Sequence, residues 1–190
     1  MRALSVILAL FLASFKAAGI AAALPSPSDG LRPFADAIAH KTVSLRYSFN
    51  VEDGAASSAG EGTLVYRDGA YALSCGNLLF CNDGSSQWTV DFSAAEAVVD
   101  NAQRVDFLSD ESALLSLFNV RDPLLVQVSY VPGTSLVRKI DIRLRGGGDI
   151  ILNVSDICLQ EEEVEGQFSF DPASFPQQED WFVTDLRQVK

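Results

Sequence analysis

The chain is poor in the residues on which most catalytic chemistry depends. Its 190 residues include one histidine, three cysteines and one methionine. A single histidine, His40, near the end of a predicted helix supplies neither a nucleophile–base pair nor a His-based metal site. Cys75, Cys81 and Cys158 form no C-x-x-C pair, and an odd number leaves at least one unpaired unless the protein dimerises through it. Lys and Arg total 14 against 25 Asp and Glu, a formal net charge of -11. That balance disfavours phosphate backbones and anionic lipid surfaces, which attract clustered cations. Solubility is the plain reading of the acidity. Internal repeats and low-complexity blocks are missing too, and the length fits one ordinary domain.

What is present begins with a short positive start and an apolar run, Met1-Arg2-Ala3-Leu4 to Leu12, interrupted by Lys16 and so too short for a comfortable membrane span. Ala21-Ala22-Ala23 before Leu24-Pro25 supplies an A-x-A-like cleavage site. Residues 1–23 are therefore expected to be a secretory signal peptide and residues 24–190 a single domain. An uncleaved anchor is the competing reading. Since no cysteine follows the cleavage site, the signal would not lead to a lipid-modified N-terminus.

The 60–100 stretch organises the remainder. Short apolar runs alternate with turn signals at Gly69, Gly76-Asn77, Asp83-Gly84 and, more softly, Ser93-Ala94-Ala95. Gly and Asn tolerate positive φ, which hairpin turns require. The runs Gly62–Arg67, Ala70–Cys75, Leu78–Asn82, Gln87–Phe92 and Ala97–Val99 read as an antiparallel meander. Before it, Leu31, Phe34 and Ile38 fall at helical spacing between a Ser28 or Asp29 cap and His40-Lys41. Thr42 to Glu52 alternates as a half-buried strand, and Asp53 to Gly60 reads as a loop. After the meander, Ser109 to Asn119 reads as a second helix. Strands are then expected at Leu124–Tyr130, Val137–Leu144 and Asp149–Val154, with Pro132-Gly133 and Gly146-Gly147-Gly148 as turns. Phe168 to Pro172 reads as the end of a strand and Trp181 to Leu186 as a last apolar segment.

If Gly76-Asn77 is a two-residue turn, Cys75 faces Leu78 and Cys81 faces Ala72. The two cysteines are then not cross-strand partners, and each is simplest as a small buried hydrophobe. Asp83 is the most tempting acid, but Asp-Gly is a hairpin turn first. The residues alone therefore point to a secreted or periplasmic, non-catalytic, β-rich domain with two short helices, needing no metal or cofactor.

Three segments resemble a known family. Gly60-Glu61-Gly62-Thr63-Leu64-Val65-Tyr66-Arg67 is similar to the G-x-G strand of the periplasmic lipoprotein carriers, the LolA-like proteins. Asp83-Gly84-Ser85-Ser86-Gln87-Trp88 resembles their D-G-x-x-x-W hairpin. Phe168-Ser169-Phe170-Asp171-Pro172 with Val183-Thr184-Asp185 resembles their closing segment. The resemblance implies an α+β fold, an incomplete, open antiparallel β-barrel with helices covering its concave face. It also implies a periplasmic chaperone that shields lipoprotein acyl chains between the inner and outer membranes. An inner-membrane releasing transporter and an outer-membrane acceptor would be its partners, and it would act as a monomer. With no lipid-attachment cysteine, the soluble carrier fits better than the anchored acceptor of similar fold.

On this reading Leu64, Tyr66, Tyr71, Leu73, Trp88 and Val90 would line the hollow. Leu31, Phe34, Ile38, Leu114 and Phe118 would form the contacts of its lid. Plain core packing is the alternative for all of them. Arg67 falls near the family's basic position, with Asp68 an equal candidate for it, and would touch a head group or partner. Two rivals remain: a binding or sensing domain for another hydrophobic ligand on the same scaffold, and a hydrolase using Asp or Glu.

Overall fold

A computed structural model describes residues 29–53, 56–102, 108, 114–115, 118, 120, 123–162, 166–175 and 181–187. The expected signal peptide and most of the expected helix at 109–119 lie outside them. Strands dominate. A 3-10 turn, Asp29–Leu31, leads into helix α1, Arg32–Ile38. The strands are β1 Thr42–Asp53, β2 Ala56–Arg67, β3 Ala70–Cys75, β4 Leu78–Asn82, β5 Ser86–Asp91 and β6 Glu96–Asn101. They continue with β7 Pro123–Tyr130, β8 Val137–Leu144, β9 Asp149–Gln160 and β10 Phe182–Asp185. Their order is β10-β6-β5-β4-β3-β2-β1-β9-β8-β7; among the described residues β10 and β7 end the sheet without pairing to each other, so it is open. A layer of helices over one face is not among the described residues, where only Leu114 and Leu115 of the second predicted helix are helical.

The chain divides into two compact units. One comprises the chain up to Ala37, Phe49–Ala59 and Asp106–Asn153. Its core includes Val137, Ile140, Ile142 and Ile150 on β8 and β9, and Leu31, Phe34, Leu114 and Leu115 are buried in the same unit. The Tyr130 hydroxyl donates to the Gly30 carbonyl, tying the end of β7 to the 3-10 turn.

The other unit, Ile38–Ser48, Gly60–Val105 and Val154–Lys190, holds the meander. Its turns follow from local chemistry. Asp68 and Gly69, at φ 47° and 92°, close β2–β3 with both central residues left-handed. Gly76, at φ 58°, closes β3–β4, and Cys75 pairs with Leu78 and Ala72 with Cys81, as a two-residue turn requires. At the next turn Asn82 Oδ1 accepts from Gly84 N, while Asp83 Oδ1 accepts from Ser85 N and Ser86 N, each at 2.8 Å. Asp83 is thus a turn builder.

Three expectations need correction. Ala56 to Gly60 is strand, the first part of β2. Its small residues carry no alternation, and backbone pairing extends the strand regardless of side chains. β9 does not stop at Val154 but continues to Gln160, through Asp156 at φ 52°. Ser155-Asp156 looks like a stop signal and is absorbed as a local distortion. Phe168 to Asp171 is turn and irregular chain leading to a 3-10 turn, Pro172–Ser174, capped by Asp171. Its F-x-F alternation marks two buried anchors, Phe168 and Phe170.

Phe170 packs with Cys81, Val90 and Ala97, flanked by Trp88, Phe92 and Trp181. Its ring centroid lies 5.1 Å from Trp181, 5.4 Å from Phe175 and 5.7 Å from Trp88. Aromatic pairs at such spacings, edge-to-face with Trp181 and Trp88 and stacked with Phe175, add about 0.5–1.5 kcal/mol each beyond area burial. Phe170→Ala should therefore lower unfolding free energy by about 3–5 kcal/mol, the usual cost of deleting a buried Phe. Phe175→Ala, at a ring 38% exposed, should cost clearly less, as urea titration of the two variants would show.

Gly62 sits where no side chain fits. An ideal Cβ there would lie 1.8 Å from the Ser74 carbonyl oxygen and 2.8 Å from the Tyr47 hydroxyl, which donates to that carbonyl at 2.7 Å. Gly62→Ala should cost about 1–3 kcal/mol through overpacking. Gly146→Ala, with open space around it, should shift the same denaturation midpoint little.

Candidate ligand-binding face

Directly opposed residues of paired strands share a face, and successive residues alternate between faces. In β2–β6 one face carries the opposed row Leu64–Leu73–Phe80–Thr89–Val98. Beside it runs Tyr66–Tyr71–Asn82–Gln87–Asp100. Tyr47 reaches over Gly62 from β1, so alternation puts Val43 and Leu45 on this side too. Val43, Leu45, Leu64, Tyr66, Tyr71, Leu78 and Phe80 are all buried, and Leu73 is half-buried. This apolar face is mostly aliphatic at its centre.

The opposite face carries Ala72–Cys81–Trp88–Val99 and Ser74–Leu79–Val90–Ala97. The aromatic anchors Phe170 and Trp181 cover it. The two faces of the same strands therefore differ: the aromatic C-terminal segment packs on one, and the buried aliphatic row lies on the other.

The sequence-selected residues divide accordingly. Leu64, Tyr66, Tyr71 and Leu73 come together on the aliphatic face. Trp88 and Val90 lie on the capped face, separated from the other four by the thickness of the sheet. Ile38, ending α1, is buried in the same unit as the meander. Leu31, Phe34 and Leu114 are buried in the other unit, where half-buried Phe118 meets Phe49 edge-on at 6.4 Å. Arg67 turns away from the aliphatic face. Its guanidinium donates to Thr42 Oγ1 at 3.1 Å and to the Glu161 carbonyl at 2.9 Å, and Thr42 Oγ1 donates to the Glu162 carbonyl at 2.9 Å. That network ties the start of β1, the end of β2 and the chain after β9.

Sequence reasoning overlooked Val43, Leu45, Leu78 and Phe80 on the aliphatic face. The signal was available, because the two-residue turn that sets Cys75 against Leu78 also sets Leu73 against Phe80.

The phenols on this face and the thiol beneath it are neutral, while the row of Tyr66 and Tyr71 ends at the carboxyl of Asp100, opposite Gln87. Burial pushes the Tyr71 phenol up to about 12, with nearby Cys81 adding to the rise and a hydrogen bond from Asn82 opposing it. Burial raises Tyr47 further still. Cys81, beneath, is pushed up to about 12 mainly by burial and then by Asp83. A thiol so far above neutrality is protonated and behaves as an apolar group. Among the described residues no three metal-ligating side chains cluster, and no helix is long and apolar enough to cross a membrane. What the face can offer chemically is apolar area with a margin of phenols and amides that ends at Asp100.

No family model matches the chain, and no curated protein does. Solved structures do. The chain is similar to the crystal structure of a LolA superfamily protein from Nitrosomonas europaea, 8% identical, over 72% of this chain and 94% of that one at a TM-score of 0.42. It is also similar to a putative outer membrane lipoprotein-sorting protein domain from Vibrio parahaemolyticus, 12% identical, over 74% of this chain and 96% of that one at a TM-score of 0.37.

Proposed function

We propose that the chain is a carrier that sequesters the acyl chains of lipoproteins against the aliphatic face of β1–β4. The supporting observation is that face itself: Leu64, Leu73 and Phe80 form a continuous apolar row on the side of the strands that the C-terminal aromatic segment does not cover. The three motifs that resemble the LolA-like proteins point the same way. On this reading residues 24–190 act as one periplasmic domain after removal of residues 1–23. A transporter in the inner membrane loads it and an acceptor at the outer membrane unloads it. No bond is made or broken.

The energetics suit a reversible carrier. Each buried CH₂ contributes about 0.8 kcal/mol, so roughly ten methylenes give about 8 kcal/mol, which corresponds to micromolar affinity. Tighter sequestration would hinder release. Arg67, already bonded to Thr42 and Glu161, supports the strand framework on this account and need not touch the cargo.

The test compares binding of a triacylated lipoprotein with its unacylated form by native mass spectrometry. The expected outcome is a complex with the acylated form alone, weakened at least tenfold by Leu73→Glu, since a charge on the aliphatic row must be desolvated by the chain. Equal binding of both forms, or of neither, contradicts the proposal. A complex with free fatty acid but not with lipoprotein would favour a carrier or sensor of another hydrophobic ligand.

A further inference from the structure

The aliphatic row ends in a polar one. Two residues along each strand from Leu64, Leu73 and Phe80, about 7 Å away, stand Tyr66, Tyr71 and Asn82, each at most 5% exposed. Asn82 is committed at both ends of its amide. Its oxygen accepts from Gly84 N at 2.8 Å, and its side chain hydrogen-bonds the Tyr71 phenol. Directly opposite Asn82 on β5 is Gln87. Gln87 Oε1 is buried and has no hydrogen-bond partner among the described residues. A buried acceptor left without a donor costs about 1–3 kcal/mol. It is also placed one row and one strand from Phe80, at the polar margin of the face.

Resting on the acyl-binding reading above, we propose that Gln87 Oε1 is the recognition point for the polar link of the acyl chain, and that the link is an amide. A chain lying over Leu64, Leu73 and Phe80, with its head turned one row along the strands, brings its first polar group to the Gln87 row. A secondary amide there presents an N–H that Oε1 accepts. An ester of the same length presents only oxygen lone pairs, leaving the glutamine acceptor unpaired and facing a like dipole. Sites that hold a buried polar group in this way discriminate strongly against ligands that lack the matching group. The site thus selects long-chain N-acyl amides over O-acyl esters, by an atom that has no other evident use in the strand framework.

The test is displacement of a fluorescent long-chain fatty acid from the purified protein by N-methylpalmitamide and by methyl palmitate, which differ only in NH against O. The wild type should prefer the amide by roughly tenfold, the worth of one well-placed hydrogen bond. Gln87→Leu, which keeps the volume and removes the acceptor, should bind the ester at least as well as the wild type and lose the preference. Gln87→Glu, which keeps an acceptor, should retain it at least in part and so separates loss of the acceptor from disturbance of β5. Equal displacement by both probes in the wild type, or a preference that survives in Gln87→Leu, overturns the assignment to Gln87 while leaving the acyl-binding reading intact. Failure of both probes to displace the fluorophore overturns both.

Discussion

Everything in the meander depends on the register of its hairpins. Each loop from β2 to β5 skips an even number of residues: Arg67 pairs with Ala70, Cys75 with Leu78, and Asn82 with Gln87. Even loops pair odd-numbered with even-numbered residues at every turn, so a residue's face in one strand fixes the faces of the whole set, and a slip of one residue would invert them all. That is why the turn chemistry matters more than any single apolar contact. Asp68-Gly69, Gly76 and the Asn82–Asp83 side-chain bonds hold the register that keeps the aliphatic and aromatic sets apart.

The two sets also differ in how they are satisfied. On the capped face, rings from Phe92, Phe170, Phe175 and Trp181 interlock at centroid distances of 5.1–6.2 Å and fill their own space. On the aliphatic face the contacts are made across the strands, with Tyr47 lying over Gly62 to bond the Ser74 carbonyl. A face packed by rotor-poor aromatics suits permanent closure. One lined by Leu and Phe side chains, with neutral phenols and amides at its margin, suits a ligand that must be released.

Much of this was legible in the sequence because it is local. The meander strands, the Pro132-Gly133 turn and the Cys75–Leu78 pairing follow from turn residues and alternation over a few positions. So did the parity that places Trp88 opposite Cys81 rather than beside Tyr71. Grouping Trp88 and Val90 with Leu73 treated alternation strand by strand without carrying it through the Asp83-Gly84 turn. Other features were not legible because their causes are distant in sequence. The parallel pairing of β10 with β6 depends on a long return of the chain. Strand at 56–60 depends on a partner strand, and the anchoring role of Phe168 and Phe170 on where the C-terminal segment lands. Arg67 reads as a free basic residue until its partners, Thr42 and Glu161, are brought beside it by the β2-β1-β9 order.

The central claim is that one face of the meander, and not the other, holds acyl chains. Loading the protein with a palmitoyl lipoprotein that carries a photoactivatable group midway along the chain, then mapping the cross-links by peptide mass spectrometry, tests it most directly. The account predicts adducts on Leu64, Leu73 or Phe80 and none on Trp88, Val90 or Phe170. Adducts concentrated on the aromatic face, or spread evenly over both, would contradict it.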